Sequence, residues 1–229
     1  VDMSNIIDQA KVIVKDNGFE DKITLIKGKM EDIKLPVDKV DIIISEWMGY
    51  CLLYESMLNT VLVARDKYLV PNGLIFPDKA TMYLSGIEDS EYKQEKIGFW
   101  DNVYGFKMSH IKELALKEPL VDIVNEDAVV STACPIRHID INTVTIDDLS
   151  FSVPFKFHAL RDDYIHAFLC HFSIDFTACH KPVHFSTGPE AKYTHWKQTI
   201  FYLHDQVAVK EGEEMSGQFS LGPNKVNPR

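Results

Sequence analysis

The segment that most limits the fold is an alternation in the second half of the chain. From Phe168 to Phe176, the residues Phe168, Cys170, Phe172, Ile174 and Phe176 fall on one side of an extended backbone. Leu169, His171, Ser173 and Asp175 fall on the other. Successive side chains of a strand point to opposite faces, so this pattern predicts a strand with one buried face. The first third reads differently. Asp41-Ile42-Ile43-Ile44-Ser45 is a continuous apolar run, the pattern of a parallel strand covered on both faces. Two such textures in 229 residues predict an α/β beginning followed by an antiparallel barrel or sandwich.

The remaining punctuation agrees. Ser4 is placed to cap a helix in which Ile6, Ala10, Ile13 and Val14 recur at helical spacing, and Asn17-Gly18 stops it. Lys22 to Lys27 has the length and branching of a strand. A helix is expected from after Glu55 to about Lys67, with Met57, Val61 and Ala64 on one face beside Leu58 and Leu62. Pro71-Asn72-Gly73 reads as a turn, and Pro77 marks the end of a region. Beyond it, Thr81 to Leu84 is strand-like, Asp89 to Trp100 is helix-compatible, and Trp100, Tyr104 and Phe106 lie in loop-prone sequence. From Pro119 the chain is strand-rich, with Thr199 to Tyr202 a further strand and Phe185 to Pro189 a turn. Asn227-Pro228-Arg229 shows no closing strand, and an open start and open end lead us to expect a fragment of a longer protein.

A net charge of −10 argues against a protein built to grip nucleic-acid phosphates and suits a basic peptide or protein as partner. No apolar run approaches the roughly 20 residues of a membrane span, and Val1-Asp2-Met3-Ser4 is not a signal peptide. Cys51, Cys134, Cys170 and Cys179 are widely spaced, as in a reduced intracellular protein. Cys170-His171 and Cys179-His180 match no zinc spacing, so no metal is expected.

The strongest chemical signal is Ser45-Glu46-Trp47-Met48-Gly49-Tyr50-Cys51-Leu52-Leu53-Tyr54-Glu55. Ligands of open α/β sheets bind beyond the carboxyl ends of the strands, and Glu46 stands where the apolar strand ends. Two carboxylates flanking an apolar, aromatic loop are costly unless a cation pairs with them. A guanidinium, planar and permanently charged, fits such a pair. The alternative is that Glu46 caps a local turn and Glu55 faces water at a helix start, where acids are favoured. Tyr193-Thr194-His195-Trp196 could line a pocket, although a lone histidine is more often structural. Asp2 alone reads as any surface acid, because the glycine-rich loop that would make it ribose-binding lies about 20 residues upstream in such folds.

Ser45 to Tyr50, Glu55 and Thr194-His195-Trp196 together resemble the type I protein arginine N-methyltransferases, along the whole chain. The resemblance implies a partial Rossmann-like S-adenosylmethionine-binding domain over 1–78. It implies an antiparallel β-barrel-like substrate domain over 79–229, with a helical dimerisation arm at about 89–117. It assigns Asp2 to the cofactor ribose, Met30 and Glu31 to the adenine, and Met57 to the cofactor and acceptor space. Glu46 and Glu55 would hold the substrate guanidinium, with His195 ordering the active site and Met48, Tyr50 and Trp196 shaping the substrate pocket. The implied partners are Gly-Arg-rich RNA-binding proteins and histone tails, with a homodimer or higher oligomer and no membrane or direct nucleic-acid contact. The implied product is S-adenosylhomocysteine, and the implied compartments are the nucleus and cytoplasm. The family's glycine-rich loop would precede Val1. Two rivals remain at this stage: a binding module that acts only by association, and a small-molecule methyltransferase, which would have no use for two carboxylates.

Overall fold

The computed structural model describes residues 1–226, and Asn227, Pro228 and Arg229 lie outside the described residues. The first elements are α1 (Ile6–Asp16), β1 (Val40–Ile44), α2 (Met57–Tyr68) and β2 (Leu69–Phe76). β1 and β2 pair in parallel, with Ile42, Ile43 and Ile44 opposite Leu74, Ile75 and Phe76. The Pro71-Asn72-Gly73 turn lies inside β2. It is accommodated between the pairs Val40–Leu69 and Ile42–Leu74, with Asn72 at φ 63°.

Several details of the first third differ from the sequence reading. Ser4 does not cap α1. The cap position is Asn5, and the Ser4 N–H donates to Asp2 Oδ1 at 2.7 Å. The helix buries Ile7 and leaves Ile6 and Ile13 exposed, a rotation of about one residue from the expected face. Lys22 to Lys27 forms no ladder. Its one pairing is the parallel bridge between Lys27 and Asp2, and one bridge does not make a strand. β1 is not covered on both faces, because Ile44 is 78% exposed and Ile42 is also open.

The second part contains β3 (Lys79–Ile87), α3 (Ser90–Tyr92), α4 (Ser109–Lys117), β4 (Leu120–Asp122), β5 (Cys134–Asp140), β6 (Phe151–His158), β7 (Asp163–Phe176), β8 (Val183–Ser186), β9 (Gln198–Val209) and β10 (Glu214–Leu221). Between α3 and α4 the chain continues through a π turn (Lys93–Ile97) and a 3-10 turn (Gly98–Asp101). The six-stranded antiparallel sheet runs β4-β9-β7-β3-β5, with β8 also on β7. β7 pairs with β3 along one edge, and with β9 and then β8 along the other. Phe185 therefore belongs to a strand, opposite Ile174, rather than to a turn. β6 and β10 form an antiparallel ribbon. It packs on the sheet through Phe155 and Phe157, whose rings lie 5.5 and 5.9 Å from Phe168. The result is barrel-like.

β7 is buried on both faces, not one. Phe172, Cys170 and Ile174 face the main core, which also takes in Trp47, Leu52, Leu58 and Leu62 from the first part of the chain. Leu169 and Ala167 lie in a second cluster with Ile97, Ile200 and Tyr202, against which Tyr92 and Leu116 pack. The helical arm supplies that second cover. Alternation registers the face with polar residues, but not that a later-placed element seals it.

His171 is buried on β7, stacked on Tyr83 with ring centroids 5.0 Å apart. Its Nδ1 has no hydrogen-bond partner among the described residues. Burial holds its pKa below the usual 6.5. The unfolded chain then takes up a proton that the fold refuses, so this contribution is complete above about pH 6.5 and is lost on acidification. His171→Phe keeps the ring stack and removes the titration. The fall in urea midpoint between pH 7 and pH 5 should shrink in the variant, and an unchanged fall would contradict this assignment.

Candidate functional site

The glutamate loop leaves β1 at Ser45, whose N–H bonds to Phe76 O at 3.1 Å. It folds back at once. Gly49 N–H donates to Leu52 O at 2.9 Å, and Tyr54 N–H to Tyr50 O at 3.1 Å. Four residues other than glycine, Cys51, Leu52, Glu55 and Ser56, have φ between 48° and 80°. Such conformations cost about 1–2 kcal/mol each and persist only where the surroundings impose them. Here Trp47, 1% exposed, and the fully buried Leu52 anchor the loop in the core. Gly49 permits the fold-back: a Cβ there would meet the Tyr54 carbonyl oxygen at 1.7 Å.

The loop is apolar and buried at its centre, but its carboxylates are not. Glu46, Glu55 and Tyr50 are exposed, whereas Trp47, Met48 and Gly49 are buried. The expectation of two carboxylates in a water-poor setting is therefore corrected. Both carboxylates are open to solvent.

The Thr-His-Trp loop meets this loop directly. Trp196 Nε1 donates to Met48 O at 2.7 Å. The Trp196 ring stacks on Phe185 at 5.7 Å and meets Phe172 edge-on at 5.8 Å. His195 is exposed and lies against Trp196, with centroids 4.0 Å apart. A second link to the barrel is the Cys51–Cys170 thiol contact at 3.5 Å.

The residues read as cofactor-binding divide into two groups. Glu31 is exposed and accepts from Thr60 Oγ1 at 2.6 Å, one turn beyond the exposed Met57 on α2. That bond joins the loop of Met30 and Glu31 to α2, and it holds the Glu31 carboxyl below its usual pKa. Met30 is half-buried. Asp2 bridges Lys27 at the start of the same loop, its pKa lowered by hydrogen bonding to Ser4. Among the described residues no three His, Cys, Asp or Glu side chains are placed to hold a metal ion, and no helix is long and apolar enough to cross a membrane.

Sequence reasoning missed Thr60, although its helical spacing from Met57 was visible. It also missed the Cys51–Cys170 contact and Arg65, for which no local pattern exists.

Residues 78–229 match the family model described as the arginine methyltransferase oligomerization subdomain. The whole chain aligns with protein arginine N-methyltransferase 1 of Schizosaccharomyces pombe at 59% identity and of Dictyostelium discoideum at 57%. The chain belongs to the protein arginine methyltransferase family. It spans 67% of the length of each of those two relatives. Among solved structures, it is similar to the Trypanosoma brucei PRMT1 enzyme–prozyme heterotetrameric complex with AdoHcy. That protein is 48% identical with a TM-score of 0.95, covering 99% of this chain and 71% of that one. Arabidopsis thaliana protein arginine methyltransferase 10, solved in an open conformation, is 25% identical with a TM-score of 0.87, covering 98% and 72%.

Trp196→Phe keeps most of the ring packing but leaves the buried Met48 carbonyl without its donor. It should cost about 1–3 kcal/mol in urea unfolding. Gly49→Ala should destabilise at least as much, because backbone must move. Wild-type stability in both variants would contradict the described loop geometry.

Proposed function

We propose that this chain carries the catalytic loops of a type I protein arginine N-methyltransferase. It would transfer methyl from S-adenosylmethionine to arginine in proteins, giving mono- and asymmetric dimethylarginine. The observation that supports this best is the Trp196–Met48 hydrogen bond, which ties the Thr-His-Trp loop to the loop between Glu46 and Glu55. Residues 1–78 are read as the cofactor half and 79–229 as the substrate half, with 89–117 as the arm that docks on a second copy.

Asp2, Met30, Glu31 and Met57 would hold S-adenosylmethionine, which when bound supplies an electrophilic methyl group. The chain's own task is to present the acceptor. Arginine stays protonated far above neutral pH, so it arrives as a delocalised cation and a poor nucleophile. Glu46 and Glu55 accept hydrogen bonds from the nitrogens that do not react and localise positive charge there. The reacting nitrogen keeps more lone-pair density. Their exposure leaves them open to an incoming side chain, and closing substrate over them excludes water and strengthens the attraction. Tyr50 is also exposed, and His195 lies against Trp196. Whether His195 or solvent removes the proton, its departure can follow methylation.

A net charge of −10 suits Gly-Arg-rich segments and histone tails as acceptors. Such acceptors are met in the nucleus and the cytoplasm. Turnover on a Gly-Arg-rich peptide should fall as salt rises, and salt-independent turnover would remove the steering argument. Glu55→Gln, and separately Glu46→Gln, should lower methyl transfer to that peptide by about 100-fold. S-adenosylmethionine affinity, measured by calorimetry, should stay near wild type. Activity within a few-fold of wild type would refute the role of the carboxylates.

A further inference from the structure

We infer that Arg65 is a positioning residue for methyl transfer, fixing the tilt of α2 on the barrel and thereby the place of Glu55, which lies in the loop just before the other end of that helix. The inference rests on the function proposed above. Arg65 lies in the last turn of α2, and its side chain is only 13% exposed. Nη1 donates to two carbonyls of the turn after β5, Ile141 O at 2.7 Å and Val144 O at 2.8 Å. Nε donates to Asp66, which is largely in solvent. A mostly buried guanidinium is costly unless its donors are met, and here both Nη1 donors are met by the backbone of the other half of the chain. The acceptor turn is itself fixed, since Ile141 N–H bonds to Asp78 O at 2.8 Å where β3 begins.

The apolar contacts of α2 do not do this job. Leu58, Val61 and Leu62 bury the helix in the main core, but hydrophobic burial is non-directional and tolerates small rotations. Two hydrogen bonds from one planar nitrogen do not. At 1.5 Å per residue, Arg65 and Met57, the first residue of α2, are separated by about 12 Å along the helix, and Glu55 stands two residues before Met57. A tilt of about 5° at the Arg65 end therefore moves the Glu55 end by about 1 Å, and a misplacement of that size can cost about 100-fold in rate. The glutamate loop is already held at its other end by Trp196 and Met48. The segment from Glu46 to Arg65 is thus pinned to the barrel at both ends.

The test uses Arg65→Met and Arg65→Lys in the intact enzyme. Sites competent to bind S-adenosylmethionine are counted by calorimetric titration, and kcat on a Gly-Arg-rich peptide is expressed per competent site. Arg65→Met should lose about tenfold or more in kcat per site, with Arg65→Lys falling between it and wild type because its ammonium can still reach a carbonyl. A merely structural role would reduce the number of competent sites and leave turnover per site intact, and that result overturns the inference. Should Arg65→Met not fold, full turnover per site in Arg65→Lys overturns it equally. Absence of methyl transfer in the wild-type enzyme is a separate outcome, and it would count against the proposed function instead.

Discussion

One indole N–H, from Trp196 to the carbonyl of Met48, holds together the Thr-His-Trp loop and the loop between Glu46 and Glu55. The carbonyl is buried, so losing the donor leaves an unsatisfied acceptor in the interior. The donor ring is held in turn by Phe172 and Phe185, from β7 and β8. Long-range sheet pairing thus sets the place of a loop that leaves a different, parallel sheet. The left-handed conformations at Cys51, Leu52, Glu55 and Ser56 follow from this arrangement. They are affordable because Trp47 and Leu52 are sealed in the common core while Glu46 and Glu55 stay exposed.

Part of this was legible in the residues themselves. The apolar run at Ile42 to Ile44 indicated a parallel strand, and β1 pairs in parallel with β2. The alternation from Phe168 indicated the long antiparallel β7. The change of texture after Pro77 coincides with the start of β3. What escaped was whatever depends on a distant segment. The second face of β7 is buried because Ile97, Tyr92 and Leu116 of the arm lie against its neighbours. Lys22 to Lys27 has strand composition but only Asp2 beside it. Composition reports what a segment can do, and the available partner decides what it does.

The same limit applies to the site. The positions of Glu46, Glu55 and His195-Trp196 stood out in the sequence, but their exposure did not. Thr60 could have been found by helical spacing from Met57. Arg65 could not, because its acceptors are backbone carbonyls far along the chain. The segment before α4 carries exposed aromatic side chains. Tyr104 is 95% exposed and Phe106 and Phe99 are also open, in a region that matches the family's oligomerization subdomain.

The central claim is that both carboxylates grip one guanidinium on a support fixed by the barrel. A crystal structure of the enzyme with S-adenosylhomocysteine and an arginine-containing peptide tests it most directly. The account predicts carboxylate oxygens of Glu46 and Glu55 within hydrogen-bonding distance of the same guanidinium, with the Trp196–Met48 bond intact. A guanidinium bound elsewhere, or touching neither glutamate, would contradict it.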